Sequence, residues 1–169
     1  MSRVQLALNV NDIDEAVSFY TALFGTEPAK RKPGYANFAI TEPPLKLVLL
    51  ENPGQGGTLN HLGVEVDSAG AVDAKQARLA EAGLAAVDER DTTCCYARQD
   101  KFGVTGAPGG ERWEIYTVLA DSATFWGQDG DQRWDAVQAE LDTPAGQATQ
   151  CCGGPRAVGE DASHGACCA

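Results

Sequence analysis

The feature that most constrains the fold is a pattern that occurs twice. Val4-Gln5-Leu6-Ala7-Leu8-Asn9-Val10 alternates apolar residues with others at a period of two, and so does Asn60-His61-Leu62-Gly63-Val64-Glu65-Val66-Asp67. That period marks strands with one apolar face. Gln5 holds in the first copy the place that His61 holds in the second, and each strand runs at once into a segment of helical periodicity. A duplicated unit is the economical explanation.

The remaining elements repeat in the same order. Asp12, with Glu15 three residues on, reads as a helix start, and Ile13, Ala16, Val17, Tyr20, Leu23 and Phe24 recur at helical spacing until Gly25 stops the segment. Residues 28–32 form an edge strand or loop, and residues 35–41 and 45–51 form two strands about a Pro43-Pro44 turn. Asn52-Pro53-Gly54-Gln55-Gly56-Gly57 is a linker by composition. After it, Ser68 caps a helix that turns Ala69, Val72, Gln76, Leu79 and Ala80 inward, with Gly83 beyond its end. Residues 85–93, 95–105 and 112–119 supply three more strands. Both units are βαβββ, and the fold class is α+β.

From Asp121 onward Gly, Asp, Gln and Ser become frequent and apolar periodicity fades, apart from a weak helical signal at Trp134, Val137 and Leu141. Residues 1–120 are therefore expected to form one domain of two half-domains, and 121–169 a mostly mobile tail. A chain of 169 residues suits a single core of that kind. No apolar run approaches the ~20 residues needed to cross a bilayer, and the N-terminus has no basic-apolar leader. The expectation is a soluble, cytoplasmic protein. A formal net charge of −11 argues against nucleic acid or an anionic membrane as partner, because either would need a basic face.

Two tandem βαβββ units resemble the vicinal oxygen chelate superfamily, which includes glyoxalase I, extradiol dioxygenases and antibiotic-resistance proteins. The resemblance covers roughly residues 3–120. It implies that each unit curls into a half-barrel and that the halves enclose a metal held by the first and last strands of each unit. Gln5 and His61 occupy the first-strand positions. In Glu111-Arg112-Trp113-Glu114-Ile115-Tyr116 the carboxylate of the last strand is Glu114, while its counterpart in the first unit falls on Leu47, or at most Val48. The implied ligand set is Gln5, His61 and Glu114, with up to three positions left for water, oxygen or substrate. Such donors suit Fe(II), Mn(II), Ni(II) or Zn(II), and three on one side resemble the facial arrangement of non-haem iron oxygenases, with Gln5 where a second histidine is usual. A lone strand histidine is more often a plain core or surface residue; the joint placement carries the signal. Leu47 cannot act as the base that glyoxalase isomerisation needs.

The six cysteines form three adjacent pairs, Cys94-Cys95, Cys151-Cys152 and Cys167-Cys168. A bridge between neighbours is strained, so reduced thiols are expected. Two close thiolates select soft species: trivalent arsenic, Cd(II), Zn(II) or Cu(I). Neighbouring side chains on a regular strand point to opposite faces, so both sulfurs can reach one atom only from a loop or bulge. Residues 88–103 are predicted not to be flat strand throughout. The plain alternative is one buried cysteine beside an incidental neighbour.

Several stretches together carry a closer resemblance. Asn9-Val10, Lys32-Pro33-Gly34-Tyr35-Ala36-Asn37-Phe38, Leu47-Val48-Leu49-Leu50-Glu51-Asn52-Pro53, Asn60-His61-Leu62-Gly63-Val64-Glu65-Val66, Thr93-Cys94-Cys95-Tyr96 and Arg112-Trp113-Glu114-Ile115-Tyr116 resemble the organoarsenical carbon-arsenic lyase family, related to cadmium-induced proteins of actinobacteria. The resemblance implies an Fe(II)-dependent, oxygen-consuming enzyme that strips the organic group from trivalent organoarsenicals, such as methylarsenite or reduced aromatic arsenicals, to leave inorganic arsenite. In that scheme Gln5, His61 and Glu114 hold catalytic Fe(II), and Cys94 and Cys95 capture the arsenic. Tyr35, Phe38, Tyr96, Phe102 and Trp113 are candidate cavity walls. Half-barrels pair within one chain or between two, so a homodimer is one expected assembly. The rival from another class is a non-catalytic protein that sequesters Cd(II) or As(III) through its three cysteine pairs. An extradiol dioxygenase acting on catechols lacks its second histidine here and gives the cysteines no role.

Overall fold

The structure is a computed structural model that describes residues 2–84 and 86–127. Cys151, Cys152, Cys167 and Cys168, and the helical signal at Trp134, Val137 and Leu141, lie outside the described residues. The first unit comprises β1 (Arg3–Val10), α1 (Ile13–Phe24), β2 (Lys30–Lys32), β3 (Tyr35–Ile40) and β4 (Leu45–Glu51). The second comprises β5 (Leu59–Glu65), α2 (Ala69–Glu81), β6 (Ala86–Cys94), β7 (Ala97–Val104) and β8 (Trp113–Asp121). Among the described residues no helix is long and apolar enough to cross a membrane.

Capping chemistry sets the helix boundaries. The Asp12 carboxylate accepts from the backbone N–H groups of Asp14 and Glu15, and Gly25 ends α1 in the left-handed region at φ 62°. Glu51, at the end of β4, accepts the otherwise orphaned Ile13 N–H at 3.0 Å, tying the helix start to the sheet. Ser68 caps α2 through Ala71 N–H.

All eight strands join one curled sheet in the order β2-β3-β4-β1-β5-β8-β7-β6. The vicinal oxygen chelate architecture read from the sequence is the architecture observed. At its centre β1 runs antiparallel to β5, with Gln5 opposite Gly63, Leu6 opposite Leu62 and Ala7 opposite His61. This register is its own image under exchange of the units, so an approximate two-fold axis passes through the Leu6–Leu62 pair. Parallel pairing extends the symmetry outward: Ala7 lies opposite Val48 on β4, and Gly63 lies opposite Glu114 on β8. The first-unit counterpart of Glu114 is therefore Val48, the farther of the two positions expected, because Leu47 faces the other way into the core.

The convex face of each half is covered by its helix. Under α1 pack Ile13, Val17, Ala36, Phe38, Ile40, Leu47 and Leu49; under α2 pack Val66, Val72, Leu79, Phe102 and Ile115. Phe38 and Phe102 are both fully buried there, each contributing roughly 1.5–3 kcal/mol of burial. They are core residues and not the cavity walls expected of them. On the concave face Ala7, Tyr35 and Val48 form a smaller cluster with Leu50, Cys95, Tyr96 and Phe125.

Strand β1 departs from the ordinary half-buried pattern. Gln5, Ala7 and Asn9 are buried, while the apolar Leu6, Leu8 and Val10 are only partly so. A flat sheet would expose the polar face, whereas here the curl folds it into an interior. The expected end of the domain at 120 falls inside β8, and residues 122–127 fold back on the sheet: Ser122 N–H donates to Tyr96 O, Gly127 N–H donates to Thr93 O, and Trp126 bridges Cys94.

Candidate metal centre

Gln5, His61 and Glu114 converge on the concave face. The Gln5 Nε2 lies 2.8 Å from His61 Nε2 and 3.0 Å from Glu114 Oε1, and His61 Nε2 lies 3.4 Å from the same carboxylate oxygen. Two ligand atoms about 2.1 Å from one ion and at right angles are about 3 Å apart, so the three spacings suit adjacent positions in one coordination sphere once the Gln5 amide is turned to put its oxygen where Nε2 now lies. No three or more His, Cys, Asp or Glu side chains among the described residues group to hold an ion, and the triad is complete only with the Gln5 amide. Imidazole, amide and carboxylate are together a donor set for Fe(II), Mn(II), Ni(II) or Zn(II). The residues fit the implied metal.

The backbone is shaped for this convergence. A Cβ placed on Gly63, opposite Gln5, would come within 3.2 Å of Gln5 Cβ and a Tyr116 ring carbon and within 3.3 Å of Glu114 Cγ. A glycine there lets the Gln5, Glu114 and Tyr116 side chains approach. Burial opposes ionisation of Glu114, yet His61, Lys101 and Lys46 hold its carboxyl down at about 2, leaving it an anion at neutral pH. The Lys101 ammonium stands 3.7 Å from Glu114 Oε2 and 3.6 Å from Glu89 Oε2. Tyr116 donates its hydroxyl to Gln5 Oε1 at 2.5 Å and also reaches Glu65 at 3.2 Å. Glu65 is itself held by Arg3 and Lys46.

Cys94 and Cys95 meet at the end of the β6–β7 hairpin. A bulge between Glu89 and Thr92 breaks the ladder, Asp91 takes φ 51°, and the two-residue turn closes with Cys95 at φ 57° and Tyr96 at φ 60°. The segment 88–103 is not flat, as its paired cysteines required. The geometry sets the free sulfurs 2.9 Å apart, within the ~4.6 Å that two thiolate bonds of ~2.3 Å can span through one soft atom. A hydrogen bond to Cys95, burial and the Cys95 charge raise the Cys94 thiol well above its ordinary range, with Lys101 opposing. Left-handed φ at two non-glycine residues is strain held in place by its surroundings, as is common where a chain does chemistry.

Metal-side and thiol-side groups line common space. A cavity of about 500 Å³ has His61, Glu114, Cys94, Cys95 and Lys101 in its wall, and a narrower one of about 200 Å³ has Gln5, Glu114 and Cys95. Of the expected aromatic walls, Tyr35 and Tyr96 line these cavities and Trp113 does not. Phe125 and Trp126 complete the larger one, with Tyr35, Tyr96 and Phe125 in mutual edge contacts of 5.3–6.2 Å. Sequence reasoning passed over Phe125 and Trp126 because they sit in a stretch taken as tail, and it did not single out Lys46 and Lys101. Tyr116 was within reach of the period-two rule, lying two residues from Glu114 on the same face.

A curled sheet of two βαβββ units with an amide, an imidazole and a carboxylate brought together on its concave face defines a vicinal-oxygen-chelate protein with a candidate metal site. The chain belongs to the Glyoxalase/Bleomycin resistance protein/Dioxygenase superfamily, whose model matches residues 3–115. It is 64% identical over 159 residues to the cadmium-induced protein CadI of Mycobacterium tuberculosis (strain ATCC 25618 / H37Rv), covering 94% of this chain and 98% of that one. It is 61% identical over 126 residues to a trivalent organoarsenical cleaving enzyme of Thermomonospora curvata, covering 74% and 83%. Among solved structures the Mn(II)-bound glyoxalase from Novosphingobium aromaticivorans shares the fold, with a TM-score of 0.52 and 23% identity over 73% of this chain and 42% of that one.

Proposed function

We propose that this chain is an Fe(II)-dependent, O2-using enzyme that cleaves the carbon-arsenic bond of trivalent organoarsenicals and leaves inorganic arsenite. The observation that carries the proposal is that His61 and Glu114 line one cavity with both sulfurs of a strained dithiol, while Gln5, within hydrogen-bond distance of both donors, lines a second cavity that shares Glu114 and Cys95 with the first. The relative from Thermomonospora curvata, named for cleaving trivalent organoarsenicals, supports the substrate class.

Gln5, His61 and Glu114 would hold the ion, and Fe(II) bound there would supply redox chemistry toward O2. A neutral amide ligates through oxygen, so holding the ion would require the Gln5 amide to turn over from the orientation in which Nε2 donates to Glu114, bringing Oε1 inward and the NH2 to the Tyr116 hydroxyl, which could then accept it and donate its own proton to Glu65. Cys94 and Cys95 bind arsenic as a bis-thiolate. As each As–S bond forms, the thiol proton goes to a hydroxyl on arsenic, whose As–O bond breaks to release water, and the carbon-arsenic bond is then fixed relative to the triad, turning an encounter into a positioned reaction. Tyr96, Phe125 and Trp126 receive the organic group and keep bulk water from it.

The test is anaerobic loading with Fe(II), then methylarsenite, then air, with free arsenite and consumed O2 as readouts. Cys95→Ser is expected to abolish arsenical binding while Fe(II) affinity stays within about threefold. Glu114→Ala is expected to end O2 consumption but spare thiol-dependent arsenical binding. Full turnover in Glu114→Ala would overturn the metal assignment.

Sequestration is the second reading, favoured by six paired cysteines and by a relative named for induction by cadmium. Replacing Cys151, Cys152, Cys167 and Cys168 with Ser in the full chain separates the two. A sequestering protein would lose most of its soft-ion capacity, and an enzyme would keep its turnover.

A further inference from the structure

A chain of hydrogen bonds leads away from the outer nitrogen of His61. His61 Nδ1 lies 2.7 Å from Asn60 Oδ1, Asn60 Nδ2 lies 2.9 Å from Asn9 Oδ1, and Asn9 Nδ2 lies 2.9 Å from Thr58 Oγ1. Thr58 Oγ1 ends the chain 2.7 Å from the backbone carbonyl of Gln55, in the segment that joins the two units. Asn9 is buried on β1 and Asn60 lies on β5, so the chain crosses the central strand pair.

The direction of every link follows from its far end. A carbonyl oxygen can only accept, so the single proton of the Thr58 hydroxyl goes to Gln55. Thr58 Oγ1 must then accept from Asn9, which turns the Asn9 NH2 to Thr58 and its oxygen to Asn60. Asn60 in turn gives its NH2 to Asn9 and its oxygen to His61. Only one partner remains for that oxygen: a proton on His61 Nδ1. Imidazole that carries its proton on Nδ1 has a bare lone pair on Nε2, the atom that faces Gln5 and Glu114. The orientation of either asparagine taken alone would be an assignment; here the fixed carbonyl decides both.

We infer that Asn60, Asn9 and Thr58 are positioning residues that hold His61 in its Nδ1–H tautomer and so keep Nε2 ready for a metal ion. The inference rests on the metal reading above and deepens it by naming what orients the histidine ligand. Outer hydrogen bonds of this type are worth about 10- to 100-fold in metal affinity. None of these three side chains needs to touch the ion or the substrate to have that effect.

The test uses the full-length protein and Zn(II) as a diamagnetic probe. The readouts are the nitrogen chemical shifts of His61, taken at a pH of about 8.5 where an ordinary imidazole is neutral, and the Zn(II) dissociation constant. Unsubstituted protein is expected to show Nδ1–H in the metal-free state and to bind zinc through Nε2. Asn60→Ala is expected to let the Nε2–H tautomer appear and to weaken zinc binding about 10- to 100-fold, while Asn60→Asp, which still accepts, restores the Nδ1–H tautomer. Thr58→Val, at an exposed site, is expected to act in the same direction and about threefold, since it frees the asparagines to turn. Zinc bound through Nε2 with tautomer and affinity unchanged in Asn60→Ala would overturn the inference while leaving the metal reading standing. An Nδ1–H tautomer that responds to Asn60→Ala in a protein that binds no zinc would uphold the chain and sink the metal reading.

Discussion

The two halves close their outer hairpins at the same place with different chemistry. In the first unit the two-residue turn between Lys32 and Tyr35 is Pro33-Gly34, with Gly34 at φ 66°. In the second, the turn between Cys94 and Ala97 is Cys95-Tyr96, with both residues at left-handed φ. The turns meet over the cavity, where the Tyr35 and Tyr96 rings are 5.3 Å apart. A proline-glycine turn is conformationally easy, and it leaves no functional group behind. The other accepts strain and leaves two sulfurs side by side. The donors of the candidate site are divided in the same uneven way: one from the first unit against two from the second, with Val48 where symmetry would place a fourth. Duplication thus supplied two equal frames, and side chains with reactive chemistry collected in one of them.

If the frames are equal, their cores should cost the same to damage. Phe38→Ala and Phe102→Ala are each expected to destabilise by about 3–5 kcal/mol in equilibrium urea unfolding. A gap above ~2 kcal/mol between them would break the equivalence.

Acid should act on one half only. Glu114 has its carboxyl held at about 2 against an ordinary 4.5, so in that window the unfolded chain binds more protons than the native one. The stabilisation is complete above about 4.5 and is lost as pH falls through about 2, amounting to at most ~3 kcal/mol. Glu114→Gln should lose less stability than the parent between those limits, as measured by denaturant midpoints across the range; Val48, its apolar counterpart, offers no such handle. For metal affinity, Glu114→Ala is expected to cost at least about 100-fold and Val48→Ala less than about threefold, read by Mn(II) or Fe(II) titration. Equal losses would place the ion nearer the two-fold axis than the triad implies.

The turns give the smallest effects and the sharpest contrast of sign. Gly34→Ala meets only an ordinary 3.6 Å contact to Glu51 Cβ, so its cost is conformational, about 1 kcal/mol. Cys95→Asn, which tolerates the left-handed region better, is expected to raise stability by about 0.5 kcal/mol in thermal melts while removing arsenical capture. Stability and capture falling together would mean that the Cys95 conformation is not strained.

Much of this was legible in the residues themselves. Alternation located β1 and β5, the caps Asp12 and Ser68 located both helices, and the adjacency of Cys94 and Cys95 required a break in the strand. Matching the proline turn before β4 to the glycine turn before β8 left the fourth position between Leu47 and Val48. The loops differ in length, so only ladder pairing sets the register. Phe125, Trp126, Lys46 and Lys101 carry no local pattern that separates a cavity wall from a surface.

The sequence by itself determined the two frames, because periodicity, caps and turn residues act between near neighbours along the chain. Tertiary structure alone decided that an amide at 5, an imidazole at 61 and a carboxylate at 114 share one point, since antiparallel pairing of β1 with β5 and parallel pairing of β5 with β8 bring together groups that no local pattern connects. It also decided that the polar face of β1 would be the buried one, because curling a sheet turns its concave surface into an interior.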